Sequence, residues 1–384
     1  MNISVAKKDL LRLVARCQGV VDKKSTMPIL ANVLISVDSP NTVKVAATDL
    51  YLSISGRAAA EIQQGGSTAV PARDLFERLK TMPDGPVNIS VDASGATEIK
   101  SGTSPRRFRL HGLPGDSFPP LPEPAADAPS LEIEGRVLGS LIAGTQFSIS
   151  TDETRAHLNS ALFEWDGEQL RMVTTDGHRL TKMEAVVGGK KATATMLIPL
   201  KAIAELRKLT EEAGASEAKA EEGAGAGMLT ITQSGPNAFF SVGDTRFSVK
   251  LVDAQFPAYQ QVIPHSSELT VRAPRVALAD ALRAVSLAAN DRTGGVKLAL
   301  ESGTMRITSE SPESGDGFDE IPVDYEGRAI TIGFNAKYLL DVLNVLADDE
   351  VLLLLSGELD PAVIRPASDD PARSFVGVVM PMRI

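Results

Sequence analysis

A chain of 384 residues with 43% hydrophobic and only 4% aromatic content can bury an aliphatic core in each of two or three domains of about 150 residues. Its single cysteine, Cys17, excludes an internal disulfide and fits a reducing cytosol. The formal net charge of -10 argues against nucleic acid held by the whole surface, because phosphate neutralisation needs Lys and Arg, but it leaves room for a local basic face.

Taken in chain order, the first predicted helix is Ala6 to Cys17, with Lys8, Arg12 and Arg16 on one face and Leu10, Leu13, Val14 and Cys17 on the other. The same basic residues break the apolar sequence, so no secretory leader is expected, and no run approaches the roughly 20 apolar residues of a membrane span. Localisation in the cytoplasm is therefore expected. Val33 to Val37 and Val43 to Ala47 form a hairpin that leads into Thr48-Asp49-Leu50-Tyr51-Leu52. A second helix, Ala72 to Thr81, sets Arg73 and Lys80 away from Leu75, Phe76 and Leu79. The strand Arg106 to Leu110 follows, then a stiff proline-rich connector from Phe118 to Pro129.

The pattern then returns. A helix over Arg136 to Phe147 precedes a hairpin of Ala161 to Trp165 with Leu170 to Thr174, which ends in Thr175-Asp176-Gly177-His178-Arg179-Leu180. Leu200 to Leu209 is the next helix, with Lys201 and Lys208 outward and Ile203, Leu206 and Leu209 inward. A low-complexity stretch, Glu211 to Gly227, is expected as a solvated, mobile loop; its glycines lack the Lys-Ser/Thr of a phosphate loop. The boundary of the last copy falls near Ile263 to Ser267. Helix Arg275 to Ala289, hairpin Leu298 to Leu300 with Met305 to Thr308, and helix Asn335 to Leu346 complete it. A period of roughly 130 residues thus gives three copies of one module of two helices and several hairpins. The expected fold is α+β, three similar domains of antiparallel sheet plus two helices each, with domains at 1–124, 125–265 and 266–384.

Any amphipathic helix carries a solvated charged face. What singles these out is correspondence, since Arg73/Lys80 and Lys201/Lys208 hold equivalent places in the repeat. Joined, such faces would hold phosphates without reading sequence.

Thr175-Asp176-Gly177-His178-Arg179-Leu180, Phe256-Pro257-Ala258-Tyr259, Phe334-Asn335-Ala336-Lys337-Tyr338-Leu339 and Val379-Met380-Pro381-Met382-Arg383-Ile384, taken in that order, resemble motifs of the bacterial beta sliding clamp family, the processivity factors of the replicative polymerase. The likeness runs over essentially the whole chain. It implies that each chain forms half of a ring, a head-to-tail homodimer with sheets outside and helices lining a hole. Geometry agrees that one chain is not enough: a compact chain of this length has a radius of gyration of roughly 21 Å. About twelve helices at roughly 10 Å spacing give a circumference of roughly 120 Å and a bore of roughly 25–30 Å, enough for a duplex with a water layer.

The resemblance implies further partners: double-stranded DNA, encircled without sequence specificity, the alpha subunit of DNA polymerase III, the clamp loader, and other polymerases and repair proteins that bring short Leu/Phe-containing peptides. It implies no cofactor, no metal, no membrane and no catalysis. The DNA-facing candidates are Lys24, Arg73, Lys201 and Lys208. The partner-peptide cleft would use Leu158, Thr175, Gly177, His178, Arg179, Leu180, Pro257, Val262, Val363, Val379, Met380, Pro381 and Met382, where apolar walls and adaptable methionines suit several related peptides. Met380 and Met382 could instead fill the core of their own strand. Gln261 departs from the family, where an arginine is common. For the subunit junction the candidates are Arg106, Phe108 and Leu110 on the first domain and Leu287 on the third, with Arg107 and Arg109 also near acidic residues such as Glu301; an edge strand guarded by arginines is the alternative.

Two other classes remain open. Asp176 and His178 could form a carboxylate-imidazole pair in an enzyme, although no Gly-x-Ser-x-Gly elbow is present and the four histidines show no metal spacing. A multidomain protein-binding scaffold that does not encircle DNA is the second.

Overall fold

The computed structural model describes all residues but 93–94, 189–192, 218–226, 291–292 and 384, together with all side chains but those of 215–217 within the residues so described. Among the described residues the α-helices are α1 (Lys7–Cys17), α2 (Ala72–Thr81), α3 (Gly135–Thr145), α4 (Leu200–Glu217), α5 (Arg275–Val285) and α6 (Ala336–Val345). They come in pairs, one pair per repeat, as the amphipathic spacing predicts. α1 buries Leu10, Leu13, Val14 and Cys17, and α2 buries Ala72, Leu75 and Leu79. Each Leu or Val among them contributes about 1.5–3 kcal/mol when removed from water. Phe76 departs from its expected inward place: it is half-buried, with the Lys80 ammonium 5.3 Å from its ring centroid.

The predicted hairpins form antiparallel pairs, Asn32–Ser39 with Thr42–Thr48, Ser160–Trp165 with Gln169–Thr175, and Gly295–Glu301 with Thr304–Ser311. Sheets then run on across repeat boundaries. Leu52–Gln64 of the first repeat pairs with Thr245–Lys250 of the second, Ile54 opposite Phe247. Arg179–Val186 of the second pairs with Arg373–Val379 of the third, Leu180 opposite Val378. This sharing divides the chain into two compact units, Met1–Gly135 with Ala204–Leu251 and Arg136–Ile203 with Val252–Ile384. The division passes through the second repeat because half of its strands complete the sheet of each neighbour.

Glu211 to Glu217, the first part of the stretch expected as a loop, is helix instead. α4 continues through Glu217, as a segment rich in Ala and Glu, both good helix formers, can do. Ala213 is fully buried, and a Cβ on Gly135 would lie 2.5 Å from its own, so α3 can start at this point only with glycine. Glu212 ion-pairs with the half-buried Arg16, which also donates to the Thr245 hydroxyl. Arg16 is therefore not part of a free basic face. The remainder of that low-complexity stretch, 218–226, and the terminal Ile384 lie outside the described residues.

Candidate functional site

In the second unit an eight-stranded sheet contains Arg179–Val186, Arg373–Val379 and Ala362–Pro366. Strand alternation gives it two faces. One packs Ile364, Phe375 and Val379 into a large core with Leu278, Leu282, Leu339 and Val342 of α5 and α6. The other displays Leu162, Val173, Leu180, Leu197, Val363, Val376 and Val378, over which Val252, Phe256, Tyr259, Val262 and Ile263 of the segment between repeats two and three are packed. Of the predicted cleft residues, Leu180, Val262 and Val363 meet on this second face.

The turn at its edge is built by side chains. The Thr175 hydroxyl donates to Arg179 O and accepts from Gly177 N, while the Asp176 carboxylate accepts from the backbone N–H groups of His178 and Arg179. Gly177 takes φ +93°, where a Cβ is strained. Gly177 and His178 are exposed, and the His178 ring stacks on Tyr338 at 6.5 Å. Asp176 is thus occupied by the turn and by the Arg179 guanidinium rather than poised with His178 as an acid–base pair. The chain end lies alongside, with Met380 N donating to His178 O and Met382 N to Gly333 O. Met380, Pro381 and Met382 are half-buried, between the solvent-facing and core-filling readings. Pro257 is exposed, Leu158 is buried and bonds Arg155 O and Ser150 N through its backbone, and Gln261 is exposed.

Arg179 corrects the expected site. Its side chain is only 7% exposed and lies on the helix side of the sheet. Its guanidinium pairs with Asp176 at 3.0 Å and Asp341 of α6 at 2.6 Å, donates to Phe147 O, and stacks 4.5 Å from the Tyr338 ring centroid. It is a strut that ties the turn to α6, not an exposed peptide contact. The reason is the period of two: Leu180, 3% exposed, packs into the apolar cluster under the 252–263 segment, so Arg179 must face the other way. Val379 is inward for the same reason.

A second network escaped sequence reasoning. Tyr259 donates to Glu164 at 2.6 Å, and Arg171 stands between Glu164 and Glu184, its cross-strand partners. Burial, then the bond to Glu164, pushes the Tyr259 hydroxyl above its ordinary range. Burial raises the Glu184 carboxyl, but bonds from Arg171, Ser374 and Lys182 outweigh it and hold the group below the usual range. The network anchors the segment over the apolar cluster. Its signal in the chain was the single charge in each hairpin strand, Glu164 and Arg171, which the hairpin sets opposite each other.

The cationic candidates Lys24, Arg73, Lys201 and Lys208 are all exposed. Lys208 pairs with Glu205 at 2.7 Å, which reduces its free charge. Among the junction candidates, Leu287 is 81% exposed, whereas Leu110 is 3% exposed and belongs to its own domain's core. Leu110 is thereby corrected: it shares the face of Phe108, and that face turns toward α2, where Arg78 stacks 5.9 Å from the Phe108 ring. Arg106 donates to Thr81 O, Arg107 and Arg109 pair with Glu98 and Asp92, and Glu301 pairs with Arg306. Among the described residues no group of three or more His, Cys, Asp and Glu side chains could hold a metal ion, and no helix is long and apolar enough to cross a membrane.

Repeated two-helix modules joined by shared antiparallel sheets define the DNA polymerase sliding-clamp class. Profiles of the DNA polymerase III beta subunit match residues 1–122 (N-terminal domain), 132–258 (central domain) and 260–383 (C-terminal domain). The beta sliding clamp of Proteus mirabilis is 33% identical over 386 residues, covering 100% of both chains. The crystal structure of the DNA polymerase III subunit beta from Pseudomonas aeruginosa superposes with a TM-score of 0.91 at 31% identity over 100% of each chain. A sliding clamp from Bartonella birtlesii bound to griselimycin gives 0.88 at 34%, again over 100% of each. The chain belongs to the DNA polymerase III beta subunit family, the bacterial sliding clamps.

Proposed function

We propose that two copies of the chain close head to tail into a ring around double-stranded DNA and tether the replicative polymerase, without catalysis of their own. The observation that carries this is the match of all three repeats, end to end, to sliding clamps. Leu287, almost fully exposed, and Phe108 are the apolar side chains offered for the subunit junction, with Arg106 beside them. The domains are 1–124, 125–265 and 266–384. Lys24, Arg73, Lys201 and Lys208 supply weak, sequence-independent phosphate contacts, which suit a protein held by topology rather than adhesion. The apolar cluster around Leu180, Val262 and Val363, rimmed by His178, Pro257 and Met380–Met382, receives short Leu/Phe-containing peptides of the polymerase alpha subunit, the clamp loader and other polymerases and repair proteins. Such a protein works in the cytoplasm.

The test is retention on DNA. Loaded onto closed circular DNA, the protein is expected to resist salt that strips an ordinary binder and to leave when the circle is cut. Equal retention on circular and linear DNA would refute encirclement and favour a scaffold that binds proteins alone.

A further inference from the structure

The turn that edges the peptide cleft occurs twice. In the first repeat the Thr48 hydroxyl donates to Leu52 O at 2.8 Å and accepts from Leu50 N at 3.0 Å, and the Asp49 carboxylate accepts from Tyr51 N and Leu52 N at 2.9 and 2.6 Å. These are the bonds of Thr175 and Asp176, one for one. The returning strand matches as well, because Lys250 N donates to Tyr51 O at 2.8 Å as Met380 N does to His178 O at 3.0 Å. So does the approach to the hairpin: Leu30 N bonds Met27 O and Leu30 O accepts from Asp22 N, as Leu158 does with Arg155 and Ser150. Leu50 thus occupies the place of Gly177, Tyr51 that of His178, Lys250 that of Met380 and Met27 that of Arg155.

What differs is the chemistry displayed. Leu50 takes φ +76°, the one non-glycine residue with positive φ among those described, where its counterpart is glycine. Backbone strain of this kind persists where a side chain must be held in place, yet nothing in the core uses this leucine, which is 51% exposed. Tyr51 and Met27 are exposed to 66% and 45%. The Lys250 ammonium stands 5.8 Å from the Tyr51 ring centroid, and none of the ion pairs among the described residues includes it.

We propose that Met27, Leu50, Tyr51 and Lys250 form a second protein-docking site, which takes an extended peptide with an apolar anchor followed by a carboxylate. The inference rests in part on reading the corresponding turn of repeat two as a partner cleft. The exposed apolar side chains of Met27, Leu50 and Tyr51 suit a leucine or phenylalanine anchor, and the Lys250 ammonium over the Tyr51 ring suits an acidic neighbour to it. A nucleic acid is the rival occupant, because the exposed Lys23 and Lys24 precede Met27 in the chain, and the apolar side chains displayed here favour a peptide over it. The replacement of Met380 by Lys250 sets the preference: this site selects acidic peptides, the other does not.

The methionines permit one titration to read both sites. Protein labelled with 13C-methyl methionine is titrated with acetyl-Ala-Leu-Phe-Asp-Asp-amide and, separately, acetyl-Ala-Leu-Phe-Lys-Lys-amide. The acidic peptide is expected to shift the Met27 methyl saturably, and Lys250→Glu or the lysine peptide should weaken that effect by about fivefold, the size of one exposed ion pair. Leu50→Gly should abolish it, in a chain that still folds because glycine accepts this φ. Movement of Met380 and Met382 with Met27 still overturns the second site and leaves the cleft standing; movement of Met27 alone supports the second site and refutes the cleft. No movement at all overturns both. A Met27 shift produced instead by a short DNA duplex, or a change of assembly state by light scattering in Leu50→Gly without loss of peptide binding, overturns the peptide as occupant.

Discussion

Arg179 shows how one buried charge ties a turn to a helix. Replacing it with alanine leaves Asp341 with Lys337 and Asp176 with the backbone N–H groups of its turn, so the loss should fall below the roughly 3–5 kcal/mol of a buried charge left with no partner. Denaturant titration is expected to register this, and Arg179→Lys should recover only part, because an ammonium cannot span two carboxylates and a carbonyl at once. Leu50→Gly should act in the opposite sense. Relief of left-handed strain of about 1–3 kcal/mol is set against the extra backbone entropy of glycine, about 0.5–1 kcal/mol, so the thermal midpoint should hold or rise. Cys17 gives a third residue-scale expectation. Burial pushes its thiol up to about 12, against a smaller opposing effect of Arg16. Iodoacetamide at mildly alkaline pH should therefore label it only on unfolding, and rapid labelling of the native protein would contradict the buried face of α1.

At the scale of elements, the extension of α4 and the 252–263 strap over the eight-stranded sheet carry the unexpected features. Glu212→Ala removes the carboxylate that meets Arg16 and is expected to fray the last turns of α4, read as faster amide exchange there than in α1. In the strap network, Glu184 is held below the usual glutamate range, so the unfolded chain takes up its proton first. The stabilisation is complete above the ordinary value of about 4.3 and is lost as pH falls through the lower folded value. Glu184→Gln should therefore flatten the acid limb of stability below about pH 4, measured as urea midpoints across that range. Both features were only half legible in the chain. Ala and Glu after Leu209 favour a helix, but composition alone did not show that Arg16 and Gly135 wait to receive it. Glu164, Arg171 and Glu184 stand on three successive strands, so their pairing requires the register of all three. Arg179 and Leu180 pose the same problem at its smallest: both are in the motif, and a register of one residue decides which enters the apolar cluster and which turns toward α6.

For the whole molecule, the subunit junction is the decisive expectation. Leu287→Asp keeps a solvent-exposed site in the isolated chain harmless but places a charge where an apolar contact of about 1.5–3 kcal/mol would form. A head-to-tail dimer has two such junctions, so the loss counts twice, and light scattering should report half the parental mass. Unchanged mass would place the junction elsewhere. Leu110 could not have been separated from Phe108 by pattern, since both share a face in the strand Arg107–His111, and only the position of α2 decides how deeply each is covered.

The threefold repeat, the paired amphipathic helices, the hairpins and the family likeness were all present in the residues themselves, because periodicity and turn chemistry act over a few neighbours. The tertiary structure alone decided that strands of one repeat complete the sheet of the next, and hence which side chains enter each of the two apolar clusters on its faces. Edge pairing joins residues far apart in the chain, and its outcome depends on which backbone edges are left open once each hairpin has formed.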